Sequence, residues 1–265
     1  MKNRRHHIKD KVRSLKTKKL IFKRPIFWIF ILFLIIILLF LYLFLFFSKI
    51  QVNLITVTGN YNIQSKDIEN IVWDSINKNI SKSIFLTRPE IISKYILNKF
   101  PQIESVKVSK ELPQTIKLQI KERVPFAVFC QTDNKKCFYI DENGIIFKIL
   151  EQIPKDNFII RQLAKDSKVF IGEKVVEKNI IDIINKIKIN LKYNFQIDIK
   201  EAIISTPFRL NIETSENWQI YFNIDAETDL QITKMHLLLK NGISASARKN
   251  LQYIDLRFKD RAYYK

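Results

Sequence analysis

An α+β fold held behind one transmembrane helix is what this sequence predicts, and three observations carry the prediction. The run from Ile26 to Phe47 contains only Ile, Leu, Phe, Trp and Tyr. A strand, helix, helix, strand, strand order then fills residues 48–122. Residues 123–265 read mainly as strands interrupted by two helices, a mixed β-domain.

The apolar run spans residues 26–47. At about 1.5 Å rise per residue it reaches roughly 33 Å, the thickness of a bilayer's hydrocarbon core. A cleaved signal peptide has a shorter apolar stretch, about 7–15 residues, and small residues at its cleavage site. Here the run leads into Ser48-Lys49-Ile50-Gln51, so an uncleaved anchor is expected. Before it, the tail formed by residues 1–25 holds eleven Lys or Arg against the single acid Asp10, which leaves +10 of the formal +19 in the tail. Cytoplasmic flanks of membrane helices are enriched in such bases, so the N-terminus is expected in the cytoplasm and residues 48–265 outside it. Topology and attraction to anionic lipid account for over half of the charge excess. The expected contact is therefore membrane lipid through residues 26–47, with no specific nucleic acid.

Within residues 48–122, Val52 to Val57 alternates as a strand and ends at the turn residues Gly59-Asn60. A first helix is expected with Ser65 as its cap and Ile68, Ile71, Val72 and Ile76 at helical spacing. Thr87-Arg88-Pro89-Glu90 reads as a capping box for a second, carrying Ile91, Ile92, Tyr95, Ile96 and Phe100 and stopped by Pro101. Val106 and Val108, then Ile116, Leu118 and Ile120, alternate with polar residues around a turn at Leu112-Pro113-Gln114. That is a half-buried hairpin, and it gives two helices on one face of a three-stranded sheet.

Beyond Val124 the expected strands are Phe126 to Cys130, Phe138 to Ile140 and Ile145 to Ile149, the last two joined by Asp141-Glu142-Asn143-Gly144. A helix is expected over Val175 to Tyr193, then strands at Ile197 to Ile204, Phe208 to Glu213 and Trp218 to Asn223. Thr228 to Lys240 is a second helix, stopped by Asn241-Gly242. The final alternation, Tyr253 to Phe258, would point Ile254, Leu256 and Phe258 to one face and Tyr253, Asp255 and Arg257 to the other. Cys130 and Cys137 flank a turn-rich loop. They can face each other across a hairpin and form one disulfide, or remain two thiols.

The residues that carry chemistry are sparse. Four glycines, Gly59, Gly144, Gly172 and Gly242, lie too far apart for a phosphate-cradling loop or a dinucleotide fingerprint. His6 and His7 sit in the tail and His236 on a helix beside Met235 and Leu237, so no histidine pair after the anchor can bind zinc. Asp141-Glu142 is expected as a solvated turn. No enzyme, cofactor, metal or small-molecule substrate is expected. Recognition by strand addition suits the pattern better, because an unpaired sheet edge offers a row of backbone donors and acceptors. The final strand is the natural candidate. Seven residues follow Phe258, so little is expected to cover it, and Tyr253 and Arg257 are residue types favoured at binding hot spots.

This organisation resembles the FtsQ/DivIB family of bacterial division proteins: a short basic tail, one anchor, a POTRA domain (residues 48–122) and a β-domain (residues 123–265). The resemblance is carried by Phe100-Pro101-Gln102-Ile103-Glu104-Ser105-Val106-Lys107-Val108 and Leu112-Pro113-Gln114-Thr115-Ile116 through Glu122-Arg123-Val124-Pro125-Phe126-Ala127. Tyr139 to Phe147 is similar to the hairpin that follows, and Tyr253-Ile254-Asp255-Leu256-Arg257-Phe258 to the terminal motif. The resemblance implies a non-enzymatic scaffold at the division septum of the cytoplasmic (inner) membrane. Its implied partners are FtsB/DivIC-like and FtsL-like coiled-coil membrane proteins and other divisome components, met while septal peptidoglycan synthesis is controlled. It also implies that the last strand, Tyr253 to Phe258, receives a strand from the FtsB-like partner, with Tyr253 as its anchor. The alternative reading is an anchored POTRA adaptor for exported or envelope proteins, which would bind through Val52 to Glu122.

Overall fold

A computed structural model describes residues 25–131, 136–154, 157–163 and 169–265. The basic tail before residue 25 lies outside the described residues. Helix α1, Pro25–Phe46, buries none of its side chains against the rest of the chain. Apolar on all sides and 22 residues long, it is long and apolar enough to cross a membrane.

The next unit consists of β1 (Leu54–Thr58), α2 (Ser65–Asn77), α3 (Pro89–Lys99), β2 (Ile103–Glu111) and β3 (Thr115–Glu122). The strands lie in the order β1-β3-β2, with β1 parallel and β2 antiparallel to β3. Ile116, Leu118 and Ile120 on the central strand meet Ile68, Val72 and Ile76 of α2 and Ile92 and Ile96 of α3 in one buried cluster. The helices begin differently from the expectation. Ser65 is already helical; its Oγ accepts a hydrogen bond from Asn60 Nδ2 at 3.0 Å, and Gln64 is the N-cap residue. No capping box forms at α3, because Thr87 Oγ1 donates to Ser83 O at 3.3 Å. Pro89 at the first position and Glu90 in the first turn start that helix instead.

The second unit is a nine-stranded sheet. Its strands are β4 (Ala127–Cys130), β5 (Cys137–Ile140), β6 (Ile146–Leu150), β7 (Ile159–Gln162), β8 (Ile199–Thr206), β9 (Arg209–Thr214), β10 (Gln219–Asn223), β11 (Tyr253–Asp255) and β12 (Tyr263–Tyr264). They run in the order β12-β11-β10-β9-β8-β7-β4-β5-β6. Helices α4 (Lys178–Phe195) and α5 (Thr228–Leu237) contribute Ile181, Ile184, Ile187, Leu191 and Met235 to the main core, which also holds Trp218, Ile220, Phe222, Ile254 and Leu256. A smaller cluster elsewhere in this unit contains Val128, Cys130 and Cys137. Those two cysteines stand opposite each other in the β4–β5 register and are joined by a disulfide.

The sheet departs from the sequence reading in four places. Strand β7 is absent from that reading, yet it pairs in parallel with both β4 and β8 and joins the halves of the sheet. Val175 and Val176 precede α4 because their N–H groups donate to Gly144 O at 2.9 and 3.4 Å. Asp141 is buried, not solvated: its carboxylate accepts the N–H groups of Asn143 and Ile145, each at 2.9 Å, and pairs with Arg123. Lastly, β11 is three residues long and is covered by β12, whereas an uncovered strand reaching Phe258 was expected.

Two glycines are fixed by close approach. Gly59 has φ +82° and a Cβ there would stand 2.2 Å from Ile120 O; Gly144 has φ +75° and a Cβ there would stand 1.9 Å from Val176 O. Side chains are excluded at both turns.

Candidate partner-binding edge

One end of the large sheet is built by β10, β11 and β12. Strand β11 lies parallel to β10, with Tyr221 opposite Asp255, and antiparallel to the two-residue β12. Parallel pairing requires a crossover, and α5 supplies it. The crossover is tied down by Gln231, whose buried side-chain amide accepts the Asn223 N–H and donates to the Asn223 carbonyl, both at 2.9 Å.

The six residues singled out in the sequence fall into two groups. Ile254 and Leu256 are fully buried in the core, and Leu256 N–H donates to Tyr221 O at 3.0 Å. Asp255 is buried beside them. Its carboxylate accepts Arg257 Nε at 2.8 Å, Arg257 Nη2 at 2.6 Å and the Arg257 N–H at 3.1 Å. Burial works against its charge, but these hydrogen bonds, with the Arg257 and Arg209 charges, outweigh it and hold the carboxyl below its usual range. The same bond to Asp255 raises the Arg257 guanidinium. Tyr253 and Arg257 are half-buried and Phe258 is exposed, so these three present surface.

That surface contains residues the sequence reading missed. The Tyr253 ring stacks on Tyr221 with centroids 5.5 Å apart, and the guanidinium groups of Arg209 and Arg257 lie 4.6 and 5.5 Å from the Tyr221 ring centre. An aromatic pair is thus flanked by two cations, one of them neutralised by Asp255. Arg209 and Tyr221 become neighbours of the terminal motif only through the β9-β10-β11 order, which no local sequence pattern encodes.

Beyond β11 the chain is held by Lys234 of α5, whose ammonium donates to the carbonyls of Leu256 at 3.1 Å, of Phe258, and of Lys259 at 3.4 Å. Desolvation lowers its pKa, against the opposing charges of Asp260 and Asp255. The chain then returns as β12. Lys265 N–H donates to Tyr253 O at 3.2 Å, and Tyr253 N–H to Lys265 O at 3.3 Å. Tyr263 and Tyr264 remain about half exposed, and Tyr263 packs edge-on against Phe258 at 5.1 Å. At this end of the sheet the outermost backbone groups belong to β12, a strand of only two residues, which offers few groups for another strand to pair with and lies directly over β11.

His236 packs its ring against Phe195 at 5.3 Å. Among the described residues, no group of three His, Cys, Asp or Glu is placed to hold a metal ion.

Comparison with known families gives two matches. Residues 51–123 match the model of the POTRA domain, FtsQ-type, and residues 128–257 that of the cell division protein FtsQ/DivIB C-terminal region. Together they span most of the chain, including all of the smaller sheet and the larger one as far as β11, while β12 lies beyond the second match. No curated protein matches the chain.

Proposed function

Because this chain belongs to the FtsQ/DivIB family of cell division proteins, we propose that it acts as a non-enzymatic, single-pass scaffold of the divisome. The N-terminal tail lies in the cytoplasm, α1 crosses the cytoplasmic membrane, and both folded units stand outside the cytoplasm at the septum. There the protein recruits FtsB/DivIC-like and FtsL-like membrane proteins and so helps control septal peptidoglycan synthesis. The observation that supports this reading best is the terminal sheet edge: a short β12 lies over β11, beside a Tyr221–Tyr253 pair flanked by Arg209 and Arg257. A partner strand pairs with the backbone of Tyr253 to Asp255, and Tyr253, Arg257 and Phe258 supply side-chain contacts.

Substitutions at exposed or half-exposed positions test this without emptying the core. Tyr253→Ala and Phe258→Ala leave Ile254 and Leu256 in place and keep the Arg257–Asp255 pair. Each is expected to weaken capture of the FtsB/DivIC-like partner by the full-length protein about tenfold or more, the scale of a single interface hot spot. Undiminished capture by both variants, with unchanged circular dichroism, would remove the edge as the binding site.

A further inference from the structure

The end of α1 is finished by residues of the three-stranded unit. A helix leaves its last carbonyls without intrahelical partners, a costly state near hydrocarbon. Here Leu43 O accepts Phe47 N–H at 2.9 Å, Phe44 O accepts Ser83 Oγ at 3.4 Å, Leu45 O accepts Ser81 Oγ, and Phe46 O accepts Gln51 Nε2 at 3.2 Å. The segment supplying the two serines is stitched to the chain leaving α1, through Val52 N–H to Lys82 O and Ile84 N–H to Ile50 O, both at 2.9 Å.

This arrangement brings the loop between α2 and α3 beside the helix, level with its last turn. Phe85 stacks on Phe44 with ring centroids 5.0 Å apart, and Phe44 lies two residues before the end of α1. At the helical rise, that is about 3 Å back along the axis. The same loop carries Ile80, 89% exposed, and the partly exposed Leu86. The β2–β3 turn joins the same face, since Gln114 Nε2 donates to Ser48 O at 3.1 Å and Lys110 Nζ to Phe85 O at 3.4 Å. That turn carries Leu112, 66% exposed. Lys49 and Lys82 belong to the same segments. Exposed apolar side chains rimmed by lysines are the composition of a surface that lies in a lipid headgroup layer.

We propose that Ile80, Phe85, Leu86 and Leu112, with Lys49, Lys82 and Lys110, form a membrane-docking face that seats the three-stranded unit in the headgroup region of the bilayer crossed by α1, with preference for anionic lipid. The inference rests on the reading of α1 as a membrane span. Continuity with α1 selects the bilayer as occupant: a ring packed against Phe44 enters any membrane that Phe44 enters. The face then fixes the tilt of the unit over the lipid surface, where a flexible tether would leave it free.

Nitroxide depth measurements on the full chain in lipid nanodiscs test this. Labels are placed one at a time through Phe85→Cys, Ile80→Cys, Ile37→Cys in the middle of α1, and Tyr193→Cys on α4. Labels at 85 and 80 are expected to be accessible to oxygen and shielded severalfold from a water-soluble nickel chelate, relative to 193. Shielding is expected to be greater in discs containing phosphatidylglycerol than in pure phosphatidylcholine. Nickel accessibility at 85 and 80 equal to that at 193, with 37 still shielded, would overturn the docking face alone. Accessibility at 37 as well would overturn the membrane span. Shielding that appears only with two copies per disc would assign the face to a second copy and overturn the proposal. Position 80 is exposed, so its label reads the face even if Phe85→Cys loosens the loop.

Discussion

Single side chains set how firmly the two folded units and the terminal sheet edge are held. Arg123, at the end of β3, donates through Nε to Pro101 O at 3.0 Å and pairs with the buried Asp141 in the β5–β6 turn. Arg123→Ala leaves that carboxylate without its counter-charge. A loss of about 3 kcal/mol is expected in chemical denaturation. Gly144→Ala combines a positive φ with a Cβ driven into Val176 O, and is expected to cost more than about 3 kcal/mol or to prevent folding, read as lost soluble yield or a lowered midpoint. Acid sensitivity has two named sources. Asp255 is held low as described, and Glu122 is held low although burial opposes it, because its carboxylate accepts the Asn62 side-chain amide and the N–H groups of Tyr61, Ile63 and Asn62. A depressed carboxyl stabilises the fold fully above its unfolded pKa, about 3.9 for Asp and 4.3 for Glu, and loses that contribution as pH falls through the folded value. The exchange protection factor at Tyr253 and Ile63, the intrinsic rate over the observed rate at the same pH, is therefore expected to fall below about pH 4, with no comparable change between pH 6 and 8. Asp255→Asn should abolish the effect at Tyr253 alone.

Among the strands of the described residues, β12 is the shortest, with two residues and tyrosines half in solvent. If the partner strand pairs with β11, β12 must leave first. Its release costs about two backbone hydrogen bonds, roughly 1–3 kcal/mol. Deleting residues 260–265 is therefore expected to tighten partner binding roughly 5- to 150-fold, measured by interferometry on the full chain in nanodiscs. Weaker binding after deletion would place the partner on the outer side of β12 instead. The elements also show where sequence reading stops. Helix α2 and the β2–β3 hairpin were legible because each carries its own period, Ile68-Val72-Ile76 in one and Ile116-Leu118-Ile120 in the other. Strand β7 was not, since Ile159–Gln162 is too short for a period and takes its identity from the two strands that flank it. The placement of the edge residues was legible in part. Tyr253 and Arg257 are half-buried on the outer face that the alternation assigns them, but Asp255, expected on that face with them, turned inward because Arg257, two residues on, satisfies it locally.

At the scale of the whole molecule, the two sheets have separate cores, and the matched families reach both. A fluorescent fusion is expected to gather at midcell in dividing cells, and Tyr253→Ala should reduce recruitment of the FtsB/DivIC-like partner there while the protein itself still arrives. The strand orders of the two sheets also differ in how they can be assembled. In the smaller sheet β3 must enter between β1 and β2, so pairing waits for the third strand. In the larger one every strand from β7 onward pairs with a strand already made: β7 on β4, β8 on β7, and so outward to β12. A chain emerging N-terminal end first can therefore lengthen this sheet one strand at a time, with no gap to reopen. The edge facing the proposed partner is the growth front of that process, and a partner's strand would be the next member of the same series, supplied by another chain.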